Sequence, residues 1–500
     1  MRRTQAARTI ACSALTLALV GCSGGDPSSS PAPSSSPSGE TSTTDTVVRE
    51  DTVVEPAWTT KLDVIGQPEV EDGVALVLAK APERAIQVVA LDAATGERLW
   101  SRPWSPGGVP TGYGLEPVVA RSQTDRAVTV LSVPPRDLSA TSPEMWRLPL
   151  AVVDLRTGEE VARSEPVELL TPPSSCDDEV DVCFDTYSRD GGQRLDLDTG
   201  RVAPDPAGTP AGARGIGSAG LFATSDRPGE EVGVARDGRV LWSTPIARLM
   251  GESVTSDTGW TIEHDPASDR YIGWMRAAIP VDQRERAQAG RPFHYDAAIL
   301  RLVAFNGADG TVLWRRDGAE HTCLGMETDT PTVRCVWTGT AFYDAKGVLT
   351  DLRGGSGVVE GFDPENGETT WSVKIAAEAL QDVFDDRGQK VAGDDTVLVT
   401  TEDGPLVVDI ATGATGPAEE DAVFTCTGDA VSFDYAMPFF LDGDPLHRRY
   451  GGRLYRPCGA DGSERQSYTE AAVRDSGQDA GDGVHVLAGE GSLSGFDLSG

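Results

Sequence analysis

Val89-Ala-Leu-Asp92-Ala-Ala-Thr95-Gly96-Glu-Arg-Leu-Trp100 carries the fold in miniature. An apolar run enters a short turn closed by Asp and Gly, and an indole follows four residues after the glycine. The same arrangement returns as Val359-Glu-Gly-Phe-Asp363-Pro-Glu-Asn366-Gly367 ending at Trp371, and as Val303-Ala-Phe-Asn306-Gly-Ala-Asp309-Gly310 ending at Trp314. Copies at Asp154–Gly158, Asp196–Gly200 and Asp409–Gly413 keep the turn and lose the Trp, whereas a shortened turn at Asp237-Gly238 keeps Trp242. Weaker versions stand at Asp461-Gly462 and at the C-terminal Asp497-Leu-Ser-Gly500.

Each residue type in this unit has a structural task. Two apolar runs joined by a Gly-containing loop make a β-hairpin; the Asp carboxylate accepts N–H groups inside the loop, and Gly takes the positive φ that the turn requires. An indole at a constant offset suits a repeated slot between neighbouring units, with its N–H free to find a carbonyl. Trp100, Trp242, Trp314 and Trp371 are therefore expected at equivalent, buried positions. Repeats spaced mostly 38 to 62 residues apart match four-stranded blades with insertions. The reading is an all-β chain, a β-propeller whose expected count is eight blades, with seven or nine left open.

These units resemble the repeats of the pyrroloquinoline-quinone-like β-propeller family, and the resemblance covers residues 56–500. It implies seven or eight blades, with the ring closed by strands from both chain ends. Pro56-Ala-Trp58-Thr-Thr-Lys61-Leu62 reads as an isolated outer strand, and Gly491-Ser-Leu-Ser-Gly-Phe496-Asp497 as a hairpin strand lacking its partner. The family holds both quinoprotein alcohol dehydrogenases and a non-catalytic outer-membrane assembly lipoprotein. Its dehydrogenases characteristically use a general-base Asp, a calcium site and a vicinal Cys-Cys disulfide, and no two cysteines here are adjacent.

Upstream of the repeats the composition changes twice. Arg2, Arg3 and Arg8 precede an uncharged run from Thr9 to Gly21, which is too short for the ~20 apolar residues of a membrane span and reads as a signal peptide over residues 1–21. Its ending, Leu19-Val20-Gly21-Cys22, resembles a lipobox, which predicts lipidation of Cys22 and residence on the extracytoplasmic face of the cell membrane. Residues 22–55, rich in Ser, Pro and Thr, cannot bury enough apolar surface to fold and are expected to act as a tether.

Export fits the cysteines. Without Cys12 in the leader and with Cys22 lipidated, six remain: Cys176, Cys183, Cys323, Cys335, Cys426 and Cys458. Six allow fifteen pairings, and joining sequence neighbours keeps each bridge within one blade. No pair shows Cys-x-x-Cys spacing, and no metal site is expected.

The net charge is -35, moving to about -38 once the leader's three arginines are removed, which argues against nucleic acid as a partner. His264, His294, His321, His447 and His485 are scattered, and no nucleophile elbow or haem-attachment segment stands among them. The expectation is a monomeric, non-catalytic binding scaffold without a cofactor, held to the membrane through Cys22 and engaging an envelope protein. A quinone-dependent or other enzyme and a small-ligand sensor are the alternatives. Binding is expected in two irregular insertions, Asp282–His294 and Phe439–Arg449, the first carrying a basic cluster of Arg284, Arg286 and Arg291.

Overall fold

The computed structural model describes residues 52–499 except 83–84, 110–114, 135–146, 177–180, 187–191, 206–209, 211–212, 217–218, 225–229, 237–238, 253, 255–259, 325–330, 346–347, 385–389, 392–394, 428–432, 442–443 and 451–453. Of residues 214, 288, 390–391 and 433–450 it describes the backbone alone. The signal peptide, Cys22 and nearly all of the tether therefore lie outside the described residues, as does the turn Asp237-Gly238. The last tether residues do not: Val53–Val54 forms a strand paired with Tyr468–Thr469, so folded structure begins before the boundary expected at residue 56.

Eight antiparallel sheets of four or more strands follow along the chain. The first spans Glu69–Trp104, the second Val119–Arg163, the third Ser174–Pro204 and the fourth Ala213–Pro245. The fifth runs from Trp260 to Asp317, the sixth centres on the hairpin Val333–Tyr343 and Leu349–Phe362, and the seventh covers Lys390–Pro417 with two further strands, Phe424–Thr427 and Tyr455–Cys458. The eighth is made from both ends of the chain. Trp58–Lys61 pairs antiparallel with Ser492–Asp497, Trp58 opposite Gly495 and Lys61 opposite Ser492. The weak motif at Asp461-Gly462 stands beyond Tyr455–Cys458 in the connection from the seventh sheet to the eighth and joins no blade hairpin.

Apolar strand faces pack sheet on sheet. Val74 and Leu76 of the first sheet meet Ala151 and Val153 of the second; Val232 and Val234 of the fourth meet Tyr271 and Phe305 of the fifth. Val359 of the sixth meets Val397 and Val408 of the seventh, and Val486 and Leu493 of the eighth meet Val77 and Val89 of the first.

The hairpin turns work as their composition dictates. In the first sheet Asp92 Oδ1 accepts the Thr95 amide at 3.1 Å and its hydroxyl at 3.0 Å, while Gly96 takes φ +71. Asp154 with Thr157 and Asp409 with Thr412 repeat the pattern. Bonds from the Thr412 hydroxyl, and then its amide, hold the Asp409 carboxyl below the usual range, so that turn stays ionised.

Each indole crosses to the next sheet and docks on its turn. The Nε1–H of Trp100 donates to Leu155 O at 2.9 Å, Trp242 to Gly307 O at 2.7 Å, Trp314 to Pro364 O at 2.9 Å and Trp371 to Ile410 O at 2.7 Å. In every case the acceptor is the residue after the turn's first Asp or Asn. The turn glycine lies flat under the ring: a Cβ added to Gly367 would stand 2.7 Å from Trp314, and one on Gly158 2.6 Å from Trp100. Only Trp314, 8% exposed, is buried outright; Trp100, Trp242 and Trp371 are half-buried. The expectation of equal burial is corrected on this point, because the outer edge of three slots is open to solvent.

Trp58 is a fifth member that the turn-to-Trp spacing concealed. It donates to Ala93 O at 2.9 Å, lies over Gly96, and sits opposite a residue two positions before the turn's first Asp or Asn, as Trp100, Trp314 and Trp371 do. Its own motif Asp, Asp497, is more than four hundred residues further along the sequence. Where no indole is supplied the backbone closes in: a Cβ on Gly200 would meet the Arg163 carbonyl oxygen at 2.5 Å.

The cysteines pair as sequence neighbours: Cys176–Cys183, Cys323–Cys335 and Cys426–Cys458, with separations of 7, 12 and 32 residues. Each bridge stays within one sheet: Cys426 and Cys458, for example, lie on two strands that pair with each other.

Candidate functional site

A clear departure from plain blade geometry lies between the fifth and sixth sheets. After Arg276 the fifth sheet is interrupted by the α-helix Val281–Gln288 and the strand Phe293–Asp296 before Leu300–Asn306 resumes it. Pro280 precedes the helix, Asp282 lies in its first turn and Arg286 in its last, the charge order that the helix dipole favours. The strand does not rejoin its own sheet. It pairs with the distal half of Val333–Tyr343, His294 opposite Phe342 and Asp296 opposite Thr340, making a three-stranded extension of the sixth sheet.

The two faces of this extension differ because side chains alternate along a strand. Tyr295, Ala341 and Leu349 are buried on one side with Phe293 and Tyr343, and the Tyr295 and Tyr343 hydroxyls lie 2.5 Å apart. On the other side the His294 ring stacks on Phe342 at 5.1 Å, and the Arg353 guanidinium stands 4.2 Å over the same ring while its Nε donates to Asp351 at 2.7 Å. His294 and Arg353 are exposed. An aromatic ring held between an imidazole and a guanidinium, at the water boundary, offers a partner both apolar area and hydrogen-bond donors. The free edge of the added strand is guarded, since the His294 N–H donates to Gln283 Oε1 of the helix at 3.0 Å.

The first insertion is therefore a helix and a strand, not an irregular loop. Along the helix Arg284 and Arg286 are interspersed with Asp282 and Glu285, and the Arg286 Nε donates to Pro292 O at 2.7 Å. The backbone of the second insertion is also regular, a hairpin of Phe433–Leu441 and Asp444–Tyr450, so that expectation is corrected too. The side chains of Phe439 to Arg449, including His447, lie outside the described residues. None of these elements was legible as structure, because Val281–Gln288 has no apolar period.

The described histidines do not converge. His264 lies at the seam of the fourth and fifth sheets, bonded at 3.1 Å to Asp269, which also holds Arg236. His321 is buried before the sixth sheet, and burial pushes its pKa down to about 4, so it is neutral there. His485 is on a strand of the eighth sheet. Among the described residues no group of three His, Cys, Asp or Glu could hold a metal ion, and no helix is long and apolar enough to cross a membrane. Glu69 is the carboxyl most displaced from ordinary behaviour: burial first, and then the charge of Glu116, push it up to about 7.

The sequence profile of a family described as outer membrane protein assembly factor BamB matches residues 41–167 and 149–436. No curated protein matches the chain. Among solved structures, the chain is similar to BamB from Moraxella catarrhalis at 13% identity, covering 89% of this chain and 100% of that one with a TM-score of 0.30. It is also similar to the quinohemoprotein alcohol dehydrogenase ADHIIG from Pseudomonas putida HK5, at 13% identity over 89% and 76% of the two chains and a TM-score of 0.37. The quinohemoprotein alcohol dehydrogenase from Comamonas testosteroni aligns at 12% identity over 89% and 77%, with a TM-score of 0.36.

Proposed function

Because the chain belongs to the family described as outer membrane protein assembly factor BamB, we propose that it is a lipid-anchored, non-catalytic scaffold of the cell envelope that binds a protein partner. The scaffold is a closed ring of eight blades. Eight sheets in sequence, repeated indole contacts between successive blades, and an eighth sheet made from both chain ends support that count and that closure.

The observation that carries the binding role is the extension with His294, Phe342 and Arg353 on its exposed face. It is not needed to complete a blade, it is backed by its own apolar layer, and it presents a pre-ordered aromatic and cationic patch. Its test is capture of the partner from membranes crosslinked in intact cells, comparing wild type with the triple variant His294→Ala, Phe342→Ala, Arg353→Ala. Capture is expected to fall about tenfold or more, the scale of losing ~1.4 kcal/mol or more at an interface centre, with an unchanged melting temperature. Undiminished capture would defeat the reading, and quinone bound to the purified protein would turn it toward an enzyme.

The anchor rests on the lipobox. Cys22→Ser is expected to abolish incorporation of an alkynyl fatty acid and to leave the protein unprocessed or released. Equal labelling of mutant and wild type would contradict lipidation.

A further inference from the structure

A cavity of about 220 Å³ opens between the sixth and seventh sheets. Its apolar wall comes from Leu324, Ile375, Ala379, Val383, Leu398 and Val399. The buried Cys323 and Cys426 both line it, and each is tied by a disulfide to a strand of its own sheet, which stiffens that part of the wall. Thr400 and Gly462 also line it, and three exposed charged residues, Asp382, Arg456 and Asp461, stand where the cavity meets water. Neither the Arg456 guanidinium nor the Asp382 carboxylate has an ion-pair partner among the described residues. Asp461 accepts the Ser463 amide at 2.9 Å, and bonds from Ser463 keep its carboxyl below the usual range.

We propose that this cavity binds a small zwitterion with an aliphatic side chain, an amino acid of about leucine's size. The volume fixes the scale: at about 220 Å³ the cavity is smaller than the ~300 Å³ of the smaller drug-type sites, which suits a small metabolite and not a large cofactor. The charges fix the head group. A simple carboxylate would be drawn to Arg456 and repelled by the two acids beside it, and a simple amine would meet the opposite conflict. A zwitterion satisfies both, its carboxylate taking the guanidinium and its ammonium the two acids, while the side chain fills the apolar wall. This site is separate from the face carrying Phe342, and the two readings stand or fall independently.

The test is calorimetric titration of the purified full-length protein with L-leucine, with 3-methylbutanoate and 3-methylbutylamine as single-charge analogues. Saturable leucine binding is expected, with both analogues at least about tenfold weaker, the scale of one charge-assisted hydrogen bond. Arg456→Ala is expected to weaken leucine by a similar factor and to tighten amine binding, since the like charge that repels the amine is gone. Ala379→Phe, which fills the apolar end, is expected to abolish binding, with circular dichroism confirming that both variants fold. Absence of saturable leucine binding, or leucine binding unchanged in Arg456→Ala, would overturn the proposal.

Discussion

Trp314→Ala is expected to destabilise the protein by about 3 to 5 kcal/mol, the cost of removing a well-buried aromatic side chain. Trp314 is the most enclosed of the indoles that cross from one sheet to the next, it meets Phe362 edge-on at 5.4 Å, and its Nε1–H donates to Pro364 O. Truncation would open a gap above Gly367, whose backbone lies against the ring and has no side chain with which to fill it. Trp371→Ala, at a half-buried position, should cost about half as much, since the lost transfer term scales with the apolar area withdrawn from water. Trp314→Phe separates the contributions: it keeps most of the apolar contact and strands the Pro364 carbonyl, for a loss of about 1 kcal/mol. Urea melts of the three variants check the ranking. A loss below about half a kcal/mol for Trp314→Ala would refute the slot.

The part of the fold that the sequence displayed is the part made by local contacts. Asp, Thr, Gly and Trp fall within nine residues of one another in the best copies, so turn chemistry and indole offset survive as a readable string. Trp58 belongs to the same set by register and acceptor, yet its turn lies more than four hundred residues away, and no local pattern could join them. Asp461-Gly462 shows the converse. It has the turn, with Gly462 at φ +82, but the strand before it ends the seventh sheet and the chain after it runs on to the eighth, because a turn signal does not specify which strands it serves.

The candidate binding face was the least legible. Gly354-Gly355-Ser356-Gly357 reads as loop by composition, yet it lies inside the strand Leu349–Phe362, where Gly354 takes φ +61 beside a shift in register. Phe293–Asp296 is a strand only because the neighbouring sheet offers it an edge. Both are tertiary decisions, taken by pairing across the boundary of two sheets and not by the propensity of either segment.

Deleting Trp58–Lys61 while keeping the tether is expected to destabilise the protein by about 5 kcal/mol. The deletion removes the Trp58 contact with Gly96 and its bond to Ala93 O, a half-buried aromatic contribution of a few kcal/mol. It also removes the outer strand of the eighth sheet, leaving the edge of Ser492–Asp497 unpaired, and it displaces Leu62, which is buried with Val486 and Leu493. Other blades join their outer strand to its neighbour by a covalent turn, whereas this strand is held to its neighbour by non-covalent contacts alone, so it should be the first to open. Joining the two termini across that pair supplies the complementary test. The Thr59 and Ser494 hydroxyls are 3.0 Å apart and exposed, which makes Thr59→Cys with Ser494→Cys a favourable cross-strand site. Oxidised, this variant closes nearly the whole folded chain into a loop, for which the chain-entropy estimate reaches about 5 kcal/mol of added stability when the geometry is unstrained. Thermal melts under oxidising and reducing conditions, with limited proteolysis near Lys61, read both variants. If opening of this strand initiates unfolding, the bridged form melts higher and the nick near Lys61 is suppressed. A deletion that costs less than about 1 kcal/mol would show instead that the eighth sheet is stable with three strands.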